Sequence, residues 1–164
     1  MPPKRSHWLV KSEPDVFSYS DLVAAPNSTT LWDGVRNYQA RNMLRDDMRV
    51  GDLVLYYHSN TKPPGVAGVA EVVRSGYPDP TQFDPEDGHF DPKSDEADPR
   101  WYAVDIQARV EMARYVSIDD LKSNAKLGDM AVVQRGQRLS VQAVTAAEFR
   151  EVLKMGGLEL SDVG

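Results

Sequence analysis

GDLVLYYHSN at 51–60 and GVAGVAEVVR at 65–74 decide the fold. In the first stretch, Leu53 to His58 is an apolar run of aromatic and branched residues set off by Gly51-Asp52, which is the composition of a strand. Gly65 to Arg74 is valine-rich and carries the same signal. Between them, Asn60-Thr61-Lys62-Pro63-Pro64 is turn chemistry. Further along, Trp101 to Val116 reads as one long or bent strand, with Tyr102, Val104 and Ile106 alternating over its middle. In the other direction, Trp8-Leu9-Val10 is a short strand closed off by Pro14. Met130 to Gln134 and Leu139 to Val141 look like a hairpin around Arg135-Gly136-Gln137.

The helical signals are shorter. Ser18 to Leu22 has the Ser-x-x-Asp pattern of a helix start, and Pro26-Asn27 closes it. Trp32-Asp33-Gly34 reads as a turn, and Asn37 to about Asp47 as a helix with Met43-Leu44 on one side. Ser117-Ile118-Asp119-Asp120 repeats the cap pattern. Thr145-Ala146-Ala147-Glu148 is a capping box that opens a helix burying Phe149, Val152 and Leu153, stopped by Gly156-Gly157. Short strands outnumber the helices, and no repeat or linker divides the chain. The expected class is α+β, mainly β: a small, closed or nearly closed barrel with short peripheral helices. The organisation expected is a flexible start at 1–7, one domain at 8–155 and a tail at 156–164.

The 164 residues fit one domain. With no cysteine, disulfides, thiolate metal sites and a cysteine nucleophile are excluded. No run approaches the ~20 apolar residues of a membrane helix, and MPPKRSH does not have the form of a signal peptide. A cytoplasmic protein, with nucleoid association as an option, is the expectation. The formal net charge of −6 speaks against coating long duplex, where affinity comes from many neutralised phosphates. It leaves open the reading of a single base by stacking and hydrogen bonds.

The acidic stretch from Tyr77 to Arg100 contains Asp79, Asp84, Glu86, Asp87, Asp91, Asp95, Glu96 and Asp98 among five prolines. Its spacing departs from the calcium-loop pattern, so a long, solvated, proline-stiffened loop is expected. His7, His58 and His89 form no metal-ligand pair, and no nucleophile elbow, Walker loop or dinucleotide fingerprint is present. Neither a cofactor nor a structural metal is implied. A Ser/His/Asp set around Ser12 and His58 remains conceivable only in three dimensions.

Aromatic and polar groups concentrate at Lys11-Ser12-Glu13-Pro14, at Trp32 to Tyr38 and at Tyr56 to Asn60, with Trp101 and the stretch Gln134 to Arg138 beside them. A flipped base needs flat walls and a few fixed donors and acceptors. The same aromatics could equally be core: for Trp8 inside its strand, core is the better reading, while for Trp32 both stay open. Arg41, Arg45 and Arg49 recur at i, i+4 and i+8. If the helix runs to Arg49, they form one basic stripe, either a phosphate-tracking edge or a solvated face.

Together WLVKSEP at 8–14, LWDGVRNYQARNML at 31–44, GDLVLYYHSN, GVAGVAEVVR, DPRWYAVDI at 98–106 and VVQRGQRLSVQ at 132–142 resemble the EVE domain family, from Trp8 to Leu153. EVE domains are similar to the PUA-like group that includes YTH and ASCH domains. The resemblance implies a pseudo-β-barrel whose aromatic pocket takes a modified base, such as 5-methylcytosine or 5-hydroxymethylcytosine in DNA, or alternatively a modified RNA or tRNA base. The missing nucleophile and metal motifs make a non-catalytic module the expectation, and with no second domain read in the sequence any effector is expected to be a separate chain. By motif position, Lys11 and Ser12 would line the pocket and Trp32 would stack, with Val35, Arg36 and Tyr38 beside it. Asn37, Tyr57 and His58 would supply base-edge contacts or a second wall, and Arg138 or Ser140 would approach from the hairpin. Ala143 departs from the proline expected in many relatives.

Overall fold

The computed structural model describes residues 5–136 and 138–163. Its six strands are β1 (His7–Ser12), β2 (Thr29–Trp32), β3 (Leu53–His58), β4 (Gly65–Pro78), β5 (Tyr102–Ser117) and β6 (Val141–Val144). They form one sheet in the order β2-β5-β4-β3-β1-β6. All neighbours are antiparallel except β1 and β3, which run parallel with Trp8 opposite Val54 and Ser12 opposite His58. A parallel pair cannot be joined by a tight turn. The chain from 13 to 52 therefore makes a long crossover containing helices α1 (Pro14–Phe17), α2 (Tyr19–Ala24) and α3 (Tyr38–Asn42), with β2 between α2 and α3.

The α+β, mainly β class holds, but the sheet is not a closed barrel. β2 pairs only with β5 and β6 only with β1, so no ladder joins the two edges among the described residues. Curvature comes from β4 and β5, whose register shifts repeatedly between Val66 and Tyr77; each such irregularity bends the strands.

Side chains alternate between two cores, as period-two strands require. On the crossover face, Trp8, Val10, Val54 and Tyr56 pack with Tyr19, Leu22, Trp32 and Leu44. On the opposite face, Leu9, Leu53, Leu55 and Tyr57 pack against α4 (Ile118–Ser123) and α5 (Ala146–Met155) through Leu121, Phe149, Val152 and Leu153. Val163 of α6 (Leu160–Val163) joins that second core. The expected helix starts are present: Ser18, Ser117 and Thr145 each close a capping box, and each such cap contributes about 1 kcal/mol.

Three sequence expectations change. The hairpin at 130–141 does not form: 131–133 is a 3₁₀ turn and β6 pairs with β1, while Gln137 lies outside the described residues. Trp32 ends a strand, β2, whose Thr29-Thr30-Leu31 run is too short and polar to stand out. The basic stripe is broken. After α3 the backbone widens into a π-turn over Met43–Asp47, closed by Met48 N–H to Met43 O at 2.8 Å, and Met48 is extended. Arg49 therefore leaves the helix. Arg45 pairs with Asp46 at 2.8 Å, and Arg41 lies over the Tyr38 ring while donating to Arg100 O at 2.8 Å.

Asp52 ties the crossover's return to β1. Buried at 4% exposure, it accepts from Trp8 Nε1 at 2.9 Å, Arg49 N–H at 2.9 Å and Ser6 N–H at 3.1 Å. This settles Trp8 as core, with its one polar atom satisfied. Asp52→Ala leaves those donors without partners and is expected to lower unfolding stability by about 2–3 kcal/mol, with the denaturant slope unchanged in urea titration.

Candidate functional site

At the C-terminal end of β1 the crossover leaves a cavity of about 400 Å³, a volume typical of ligand pockets. Lys11 and Ser12 form its floor at the end of β1, Trp32 and Asp33 come from the end of β2, and Val35, Arg36 and Ser140 close the sides. Ser12 Oγ donates to Phe17 O at 2.8 Å and Tyr56 Oη donates to the same carbonyl at 2.6 Å. These two bonds hold α1, so that Val16 and Phe17 make the rim. Burial pushes the Tyr56 phenol up to about 12, so it stays a donor throughout the neutral range.

Trp32 is both core and wall. It is 9% exposed and meets Tyr56 edge-on, with centroids 5.5 Å apart, yet it lines the cavity. The second wall expected at Tyr57 lies on the other face of the sheet. The offset is one residue of a strand: Tyr56 points to the crossover side and Tyr57 into the α5 side.

The cavity gathers Lys11, Ser12, Trp32, Val35, Arg36 and Ser140 of the residues expected from sequence, and leaves out the others. His58 Nε2 accepts from Tyr19 N–H at 3.0 Å, and burial lowers its pKa, so the neutral ring serves the start of α2. Tyr38 is half-exposed and stacks on Trp101 at 4.9 Å. Asn37 caps α3 by accepting from Ala40 N–H at 3.0 Å. Asn37 and Arg138 line a neighbouring groove that shares Ser140 with the cavity.

Sequence reading missed Asp33, Gly34 and His89 as cavity residues. His89 belongs to the acidic stretch, which is docked over the Trp32 turn rather than wholly solvated. Asp79 and Gln82 there are fully buried. Asp79 accepts from Gly34 N–H at 2.8 Å, from Arg36 Nη1 at 3.0 Å and from Thr81 Oγ1 at 2.6 Å. Arg36 also donates to His89 O at 2.7 Å and lies 5.3 Å from the Trp101 ring. Its guanidinium thus latches the loop to the turn. Gly34 has φ +76°, and a β-carbon there would lie 2.6 Å from His89 Nε2, so only glycine lets the imidazole cover this backbone. The one sequence signal for this was Gly34 itself, beside a tryptophan and an arginine.

Charges around the cavity are partly withdrawn from water. Burial lowers the pKa of Lys11. Burial first, and then the Asp79 carboxylate, raise that of Asp33. A larger depression of about 600 Å³ lies within the acidic loop, but Asp91, Asp95 and Glu96 line it and would repel a phosphodiester. No group of three or more His, Cys, Asp or Glu side chains suited to a metal occurs among the described residues, and no helix among them is long and apolar enough to cross a membrane.

A curled mixed sheet carrying a half-enclosed pocket, with polar groups gathered beside an indole, defines a pocket-bearing α+β domain. The family model described as EVE domain matches residues 6–155, and the chain belongs to that family. Human thymocyte nuclear protein 1 is 45% identical over 167 residues, covering 92% of this chain and 73% of its own length. The structure of human THYN1 in complex with 5-methylcytosine containing DNA superposes with a TM-score of 0.87 at 45% identity, covering 94% of this chain and 99% of that one. A hypothetical protein from Leishmania major also reaches 0.87 at 45% identity, covering 94% and 96%. The resemblance read from the sequence blocks is borne out. The relatives' name says nuclear, which lends the cytoplasmic expectation no support.

The latch gives a pH-dependent prediction. Burial alone would raise the Asp79 pKa, but the hydrogen bonds from Thr81, Gly34 and Arg36 outweigh it and hold the carboxyl below its ordinary value of 3.8. A depressed carboxyl stabilises the fold above its unfolded pKa and loses that contribution as pH falls through the folded one. Asp79→Asn is therefore expected to lower stability by about 2 kcal/mol near pH ~7. Urea titrations of both proteins should show that gap shrinking once the pH drops below ~4.

Proposed function

We propose that the protein is a non-catalytic reader of modified cytosine in DNA, 5-methylcytosine foremost, which it takes out of the base stack into the cavity beneath Trp32. The observation that carries this reading is the match, at 45% identity over nearly the whole chain, to a protein whose structure contains 5-methylcytosine DNA. The cavity's chemistry agrees. Trp32 offers a flat face, and base–aromatic stacking contributes about 1–3 kcal/mol. Lys11, Ser140 and Asp33 offer polar atoms around it. An acidic chain suits this mode, in which one base rather than a run of phosphates supplies the affinity. Asn37 and Arg138 in the adjoining groove would meet the flanking nucleotide. Arg45 and Arg49, exposed beyond α3, would contact the backbone only as separate charges.

Two engaged side chains speak against hydrolysis. Ser12 and His58 are opposite each other on β1 and β3, but the serine hydroxyl donates to Phe17 O and the imidazole Nε2 accepts from Tyr19 N–H. Both side chains are thus occupied in holding the crossover, which supports a binding role over a hydrolytic one.

Matched oligonucleotides carrying cytosine, 5-methylcytosine or 5-hydroxymethylcytosine, as DNA and as RNA, test the reading by fluorescence anisotropy. 5-Methylcytosine DNA is expected to bind about tenfold or more tightly than its unmodified control. Equal affinities would refute the reading, and preference for the RNA series would move it to modified RNA. Trp32→Leu keeps apolar bulk but removes the indole face, and should weaken 5-methylcytosine binding about tenfold or more.

A further inference from the structure

Reading 5-methylcytosine poses a problem that the cavity walls cannot solve by shape. Thymine has the same ring and the same 5-methyl group; the two differ at position 4, where cytosine presents an amino donor and thymine a carbonyl acceptor. Discrimination therefore needs a fixed acceptor facing that edge, and a strong one, because the thymine oxygen must also be repelled.

The residues lining the cavity contain one carboxylate, Asp33. The other polar groups there are cations, are engaged, or, like the Ser140 hydroxyl and His89 Nε2, accept only as neutral atoms and so oppose a thymine oxygen less strongly than a carboxylate does. Lys11 and Arg36 are cations, and the Ser12 hydroxyl donates to Phe17 O. The Thr30 hydroxyl leans toward Leu31 O at 3.5 Å. His89 Nδ1 pairs with Asp87 Oδ1 at 3.1 Å. The neighbouring carboxylate, Asp79, is saturated by Gly34, Arg36 and Thr81. Asp33, by contrast, has no ion pair and no hydrogen bond from another residue's side chain among the described residues, although it is half-buried. Burial, followed by the Asp79 charge, raises its pKa; the nearby His89 and the backbone N–H of Asp33 itself compensate only in part, so the half-buried carboxylate is costly. A donor supplied by a ligand would offset it.

We propose that Asp33 is the residue that selects cytosine over thymine, accepting a hydrogen bond from the exocyclic 4-amino group of the base held beneath Trp32. This rests on the base-reader assignment and goes beyond it by naming the edge that is read and the atom that reads it. Binding 5-methylcytosine pairs the carboxylate with an N–H; binding thymine brings an oxygen against an anion. The expected ligand class is thus 4-amino pyrimidines, with the 5-substituent read elsewhere in the pocket. Replacing the carboxylate by an amide permits the opposite polarity, since Asn can turn its NH₂ toward a carbonyl.

Single-stranded oligonucleotides, which remove differences in duplex opening, provide the test. One position carries cytosine, 5-methylcytosine, thymine or 5-methylpyrimidin-2-one, which lacks any group at position 4. Wild-type protein is expected to bind 5-methylcytosine about 5- to 100-fold more tightly than thymine or the pyrimidinone, the range of one good base-edge contact. Asp33→Asn should bring the 5-methylcytosine to thymine ratio close to one, with its thermal unfolding unchanged. Should that variant fail to fold, the pyrimidinone comparison in the wild type decides alone. If wild-type protein prefers 5-methylcytosine to cytosine yet binds the pyrimidinone equally well, the role of Asp33 is overturned while the reader stands. No preference of 5-methylcytosine over cytosine overturns the reader itself, and this assignment with it. A uniform loss across all four bases in Asp33→Asn would likewise overturn selection, because a merely structural role moves every affinity together.

Discussion

The parallel pairing of β1 with β3 is the constraint on which the rest depends. Two parallel neighbours cannot be joined by a hairpin, so the chain between them must travel over one face of the sheet and return. That path carries α1, β2 and α3, and it sets the ends of β1 and β2 beside each other, Lys11-Ser12 near Trp32-Asp33. The cavity is the space the crossover leaves. Asp52 fixes the return by accepting from Trp8 at one side and Arg49 at the other, and Phe17 O, held by Ser12 and Tyr56, fixes the departure.

A second layer of order comes from an unexpected quarter. The acidic, proline-rich stretch is pinned by a single buried carboxylate, Asp79, which organises the Gly34 backbone, the Arg36 guanidinium and the Thr81 turn together. Its charge is balanced by donors aimed at it, the arrangement that makes a buried carboxylate tolerable. The consequence for the site is indirect but large. The latch holds His89 over Gly34, consumes the donors of Arg36, and leaves Asp33 as the open carboxylate at the cavity.

Local signals in the sequence were read well because their physics is local. Capping boxes at Ser18, Ser117 and Thr145 involve residues three apart, and the strand character of Leu53 to His58 needs only its own composition. Trp32, Lys11, Ser12 and Ser140, which the family motifs single out, all line the cavity. What escaped was set by distant partners. The assignment of Tyr57 rather than Tyr56 to the pocket side turns on the phase of a strand, which sequence cannot fix when every residue from Leu53 to Tyr57 is buried. Residues 130–141 carried hairpin composition, yet β6 found β1 instead. His89 and Asp79 reach the site across more than forty positions, and the acidic composition around them conceals rather than advertises a docked loop.

In the proposed complex one base occupies the cavity between β1 and the Trp32 turn. A crystal structure of the protein bound to a 5-methylcytosine oligonucleotide tests it most directly. It should show the modified base turned out of the strand, its ring against the Trp32 indole and its 4-amino nitrogen within ~3.2 Å of an Asp33 oxygen. A base left stacked in the strand, or seated in the Asn37–Arg138 groove with the cavity untouched, would contradict it.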